Sequence, residues 1–176
     1  ILNGEAQVLM PHFTFHGFRY AAVEGIENPR PEMFTACVMH SDMRKTGEFH
    51  CSNEKVNQLQ SNISWSLRDN FFDIPSDCPQ RDERLGWMGD AQVFSWTAAF
   101  NRETALFFTK WMRDVSAASS LERGVPHIVP DIQETYSSAA WSDAAVIIPW
   151  VVYQTYGDTR ILEESWKCML EWVDYI

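Results

Sequence analysis

Hydrophobic positions along the chain change period once, and the change separates two kinds of structure. In residues 12–20 (HFTFHGFRY) aromatics fall at Phe13 and Phe15, then at Phe18 and Tyr20 after Gly17. This is period-two alternation shifted once where a glycine admits a bulge, and it predicts a strand. A second strand is predicted over 33–40 (MFTACVMH), with the turn formers of 27–31 (ENPRP) between the two. From Ser52 the period becomes helical. Val56, Leu59, Ile63 and Leu67 recur three or four apart, with Ser52 or Asn53 as N-cap and an end near Asn70.

Pro75, Pro79, Gly86 and Gly89 then interrupt any period, so residues 73–90 predict a loop. A helix is predicted over 91–100 with Asp90 available as its cap, and Asn101 separates it from an amphipathic helix bearing Leu106, Phe107, Trp111 and Val115. Residues 124–138, with Pro126 and Pro130, predict another loop. Two more helices follow: one over 142–156, capped by Ser142 or Asp143 and stopped by Gly157, and one capped by Asp158 with Ile161, Leu162, Trp166, Met169 and Val173 on one face. Trp65, Trp96, Trp111, Trp150, Trp166 and Trp172 mostly follow helical spacing, which makes core packing the default for each. Five helices after a two-strand opening predict a mainly α domain attached to the last strands of a β domain, divided at 1–43 and 44–176. The long loops between helical hairpins gather at one mouth.

Composition narrows the function classes. With 176 residues, 45% of them hydrophobic and 22% charged, the chain reads as globular. Its 24 acidic against 14 basic residues, a net charge of −10, oppose a sequence-independent grip on nucleic acid. No apolar run approaches the roughly 18 residues of a membrane span, and the longest, 144–153, is broken by Pro149. Cys37, Cys51, Cys78 and Cys168 lie far apart with no CxxC pair and predict ordinary buried thiols. His12 and His16 share a strand face, but no third ligand lies nearby, and no metal or cofactor is expected. The chain starts on Ile1 and ends in WVDYI, mid-pattern, so it reads as a piece of a longer protein whose compartment, cytoplasmic or periplasmic and secreted, is open.

Chemistry concentrates in DCPQRDERLGWMGD, residues 77–90. Asp77, Arg81, Asp82, Glu83 and Arg84 stand within eight positions, followed by Trp87 between two glycines and then Asp90. Carboxylates at this density beside guanidinium groups suit glycosidic cleavage: one protonated acid serves the leaving oxygen, and ionised groups hold hydroxyls or steady a developing oxocarbenium charge. A tryptophan offers an apolar face to a sugar ring. The same residues are equally compatible with ion pairing on a solvated surface. Trp141 and Asp143 in AAWSDAA again pair an aromatic with a carboxylate at a loop-to-helix junction.

IPSDCPQRDERLGWMGDAQVF, residues 74–94, closely resembles the signature of the bacterial α-L-rhamnosidases, inverting glycoside hydrolases with an (α/α)6-barrel catalytic domain preceded by β-sandwich domains. FTFHGFRY, HSDMRKTGEFHCSN, FFTKWMRD, GVPHIVPD and AAWSDAAVIIPWVVYQTYGDTRIL resemble further family segments in the same order. The resemblance implies the first helices of such a barrel after the terminal strands of a β-sandwich. It implies Glu83 as general acid, Asp77, Arg81 and Asp90 on the rhamnose hydroxyls, Trp87 near the apolar C6 side and Trp141 as a further pocket wall. The implied substrate is a rhamnose-containing oligosaccharide or glycoside. The base of an inverting displacement is implied on a later segment, outside this chain, so the piece alone is expected to be inactive. Two other readings stay open: a different (α/α)6-barrel glycosidase or uronate lyase, and a noncatalytic carbohydrate-binding fragment.

Overall fold

A computed structural model of the chain describes residues 4–176, so the first three positions of the anticipated 1–43 segment lie outside it. Five helices carry the fold: α1 Glu54–Asn70, α2 Met88–Asn101, α3 Ala105–Ala118, α4 Ala144–Tyr156 and α5 Arg160–Tyr175. The strands expected over 12–20 and 33–40 do not form. Among the described residues those stretches pair with no other strand, and the only regular element there is a single 3-10 turn, Pro31–Met33. The physical reason is plain in the exposures. Phe13, Phe18, Tyr20, Phe34 and Val38 face solvent, and no second layer among the described residues covers them; a half-buried strand needs such a layer. The sequence pattern also conceals a two-residue antiparallel ladder, β1 Phe71–Phe72 with β2 Ile74–Pro75, turned by Asp73 at φ 66°.

The helices start and stop for local reasons. Asn53 caps α1 by accepting from Lys55 N. Gly157, at φ 68°, ends α4 in the left-handed conformation that favours glycine. Asp158, expected as the cap of α5, lies one residue outside the cap position held by Thr159, yet its Oδ1 accepts from Arg160 N at 3.0 Å. The start of α2 is set by tertiary contact. Trp87 is held extended by a bridge to Ile128, and Met88 N donates to His127 O at 2.8 Å, so the helix begins at Met88 and not at Ala91. Asp90 therefore sits inside the first turn, where its charge favours the helix dipole, and is not the cap.

α4 is the hub, packed against α2, α3 and α5. Its buried Ala144, Ala145, Ile148 and Val152 meet Phe108, Trp111, Met112 and Val115 of α3 and Ile161, Cys168 and Trp172 of α5 in one core. Phe71 extends this core, stacked on Phe107 with ring centroids 4.6 Å apart. Trp111 donates to Val129 O at 3.1 Å, tying the loop between α3 and α4 to the centre. Only Trp111 and Trp172 of the six tryptophans expected in the core are buried. Trp65, Trp96, Trp150 and Trp166 lie on helix faces that no described element covers, and Leu106 points outward beside the buried Phe107 and Phe108. The thiols divide likewise: Cys78 and Cys168 are buried, Cys51 is half-buried and Cys37 is exposed, and all four are free.

Candidate active site

The loop from β2 to α2 closes on itself at its base. Asp77 N donates to Leu85 O at 3.1 Å, and Leu85 N donates back to Asp77 Oδ1 at 2.9 Å. This reciprocal pair brings positions 77 and 85 together and lifts residues 78–84 into a tight excursion. Gly86 follows, where a β-carbon would stand 2.1 Å from Val129 O, so only glycine admits the close pairing of Val129 N with Gly86 O at 2.9 Å.

Within the excursion the charged groups are joined in a line. Arg81 reaches Glu83 Oε2 with Nε at 2.9 Å and Nη2 at 2.7 Å, and reaches Asp77 Oδ2 at 3.5 Å. Trp87 donates its indole N–H to the other oxygen, Oε1, of Glu83 at 3.0 Å. Asp77 is almost wholly enclosed, with 7% of its side chain exposed, against 31% for Glu83 and 59% for Arg81. Asp82 is fully exposed and lies 4.0 Å from Arg84.

A cavity of about 490 Å³ opens beside this line. Asp77, Asp90 and Trp141 form part of its wall, together with Gly89, Asn70, Phe71, Gln92 and Phe94. Arg81, Glu83 and Trp87 are not in that wall; Asp77 belongs to both groups and joins them. Burial pushes the Asp90 carboxyl up from its ordinary value, its own backbone N–H pulls the other way, and the charges of Asp77 and Glu83 add to the rise. Trp141 rests against Gly89: a β-carbon there would lie 3.0 Å from the indole nitrogen.

The supporting residues are those that spacing does not reveal. Asp143 stands at the N-cap position of α4 in helical conformation and makes no capping bond. Its Oδ2 instead accepts from Ala140 N at 2.7 Å and its Oδ1 from Trp172 Nε1 at 2.9 Å, which fixes the turn that carries Trp141. His127 lies 5.8 Å from the Trp141 ring, with Nε2 2.8 Å from Ser138 Oγ, and burial lowers its pKa. Asn70 Oδ1 and Gln92 Oε1 are buried with no partner at residues that line the cavity. Serine, histidine and amide roles of this kind leave no periodic signal in a single sequence.

Asp77, Cys78 and Glu83 bring their ligand atoms within 4.8 Å of one another. Arg81 already pairs with Glu83 and reaches Asp77, and burial followed by the neighbouring Asp77 pushes the Cys78 thiol up, away from the thiolate a metal would take. The trio is better described as an ion-paired cluster. His12 and His16 are in no metal-capable group among the described residues; His16 Nε2 lies 3.0 Å from Thr14 Oγ1.

Residues 44–176 match the bacterial alpha-L-rhamnosidase 6 hairpin glycosidase domain, and residues 1–40 match the bacterial alpha-L-rhamnosidase concanavalin-like domain. An alpha-L-rhamnosidase of Formosa agariphila is 48% identical over 168 residues, covering 93% of this chain and 18% of that protein. One from Streptomyces avermitilis is 41% identical, covering 94% of this chain and 16% of its own length. A crystal structure of a Streptomyces avermitilis alpha-L-rhamnosidase complexed with L-rhamnose matches 77% of this chain and 13% of that one, with a TM-score of 0.75 and 39% identity. The chain thus spans less than a fifth of the relatives it matches.

Proposed function

The chain belongs to the bacterial α-L-rhamnosidase family, and from that premise we propose that it is part of an enzyme that hydrolyses terminal, non-reducing α-L-rhamnose from rhamnosides with inversion of configuration. Glu83 is the general acid. Asp77, Arg81 and Asp90 hold the sugar hydroxyls, Trp87 lies near the apolar C6 side and Trp141 walls the pocket. The observation that carries the reading is the line Asp77–Arg81–Glu83–Trp87 beside the cavity walled by Asp77, Asp90 and Trp141.

The chemistry follows from inverting hydrolysis. As the bond from the anomeric carbon to the glycosidic oxygen breaks, Glu83 gives its proton to that oxygen. A water oxygen bonds to the anomeric carbon from the opposite face, and its proton passes to a second carboxylate roughly 6.5–9.5 Å from the acid. That base belongs to a segment outside this chain. Both oxygens of Glu83 are engaged, by Arg81 and by Trp87, so substrate entry must free one of them before a proton can be delivered; such tightening and exchange on binding is common at acid–base sites.

The test is hydrolysis of a chromogenic aryl α-L-rhamnoside by the longer polypeptide that contains this chain, beside the matching glucoside and galactoside, with the first-formed anomer read by NMR. Preferential cleavage of the rhamnoside with release of the β-anomer is expected. Preference for the glucoside, or release of the α-anomer, would overturn the reading.

A further inference from the structure

Arg84 is part of the charged loop, yet its side chain contacts Phe15 and Asp82 and not the line of site residues. Its Nη1 donates to the backbone oxygen of Phe15 at 2.9 Å, 69 positions earlier, and its guanidinium carbon lies 5.4 Å from the centre of the Phe15 ring. Phe15 in turn packs on Phe72 of β1, with centroids 4.9 Å apart. Two residues on, Gly17 N donates to Pro79 O at 2.9 Å. A β-carbon on Gly17 would stand 2.5 Å from that oxygen and 2.7 Å from the Pro79 carbonyl carbon. The contact is backbone against backbone, and nothing there can swing aside.

These two contacts fall on either side of Arg81 and Glu83. Arg84 also adopts φ 52°, a left-handed conformation that a side chain disfavours, so outside contacts are needed to hold it. If it relaxed, the peptide leading to Leu85 would turn, and with it the Asp77–Leu85 closure that shapes the excursion. We propose that residues 15–17 and Arg84 form a clasp that holds the loop from behind and sets the position of Glu83, with Arg84 as a positioning residue and not a catalytic one. The inference rests on the acid role proposed for Glu83. Its structural half, that residues 15–17 order the loop, stands apart from any activity.

The experiment uses the full-length protein and three variants: Gly17→Ala, Arg84→Met and Arg84→Lys. Hydrogen exchange at the Glu83 and Leu85 amides reads loop order directly. Exchange in Gly17→Ala and Arg84→Met should rise about tenfold, with Arg84→Lys, which can still donate to Phe15 O, between them and wild type. Displacing an acid by a fraction of an ångström to 1 Å costs on the order of ten- to a hundredfold in rate. Accordingly kcat should fall by about tenfold on rhamnosides with poor leaving groups, remain within about twofold on activated aryl rhamnosides, and leave KM nearly unchanged. Unchanged exchange in Arg84→Met, the milder variant, overturns the clasp whatever the kinetics. Raised exchange with equal loss of kcat on both substrate classes overturns the link to Glu83. A wild-type protein without rhamnoside hydrolysis overturns the proposed function instead, and the exchange measurement still decides the clasp.

Discussion

Trp172 donates its indole N–H to Asp143 at 2.9 Å, across 29 residues, while the other oxygen of that carboxylate accepts from Ala140 N. One side chain thus connects α5 to the residue that precedes Trp141, and Ala140 is held at φ 73°. Removing it would loosen a wall of the cavity from a distance.

Asp143→Ala is therefore predicted to leave the Trp172 N–H buried without an acceptor, at a cost of about 1–3 kcal/mol, Trp172 being 1% exposed. Thermal unfolding of the full-length protein measures that cost. Steady-state kinetics should show a raised KM for rhamnosides, with kcat affected less.

Glu83→Gln keeps an acceptor for the Trp87 indole but has no acidic proton to transfer. On rhamnosides with poor leaving groups the rate should drop on the order of a hundred- to ten-thousandfold. Activated aryl rhamnosides need little protonation and should lose far less. Equal losses on both would assign Glu83 to binding.

Asp90 supplies a pH prediction. Its carboxyl is raised in the fold, chiefly by burial, so its charged form costs stability at neutral pH. That cost is relieved as pH falls through the raised folded value toward the unfolded value of about 3.9, below which it is absent. Asp90→Asn should consequently be more stable than wild type at pH 7 and closer to it at pH 4, while rhamnoside turnover falls. Denaturant midpoints at both pH values check the sign; an advantage that widens at pH 4 would contradict it.

Two glycines three positions apart should respond differently to alanine. At Gly86 the new carbon would meet the Val129 carbonyl at 2.1 Å, backbone that cannot yield, and the predicted loss is about 3 kcal/mol. At Gly89 it would meet the half-exposed Trp141 indole at 3.0 Å. That ring can swing, so stability should change by under about 1 kcal/mol while KM for rhamnosides rises. Unfolding midpoints and KM values for the pair separate the two effects.

The helices were legible because their packing is periodic: Leu67 on α1, Phe107, Trp111 and Val115 on α3 and Ile161 on α5 are buried where the spacing puts apolar faces, whereas Val56 and Leu59 of the α1 face and Trp166 and Val173 of the α5 face are exposed. What spacing could not give is whatever a distant segment decides. α2 begins three residues early because His127 and Ile128 reach back to Met88 and Trp87. Asp143 looks like a cap by position but serves Trp172 and Ala140 instead. The alternation in 12–20 predicts a strand, yet Phe15 and Gly17 spend their backbone groups on Arg84 and Pro79. The density of charge in 77–90 singled out a candidate site but suited a solvated surface equally; that Asp77 would join two groups of residues, one lining the cavity and one beside it, required the Asp77–Leu85 closure to be seen.

The Gly17–Pro79 contact bears on how members of this family can be recombined. The two family matches meet between residues 40 and 44, an obvious place to splice halves from different relatives. A chimera joined there would lay a foreign partner on the loop at residues 15–17, and any donor with a side chain at position 17 would drive it into the Pro79 carbonyl. A junction upstream of Thr14 carries Phe15, Gly17, Pro79 and Arg84 across as one inherited unit, so the crossover point that respects the chemistry lies well inside the neighbouring match.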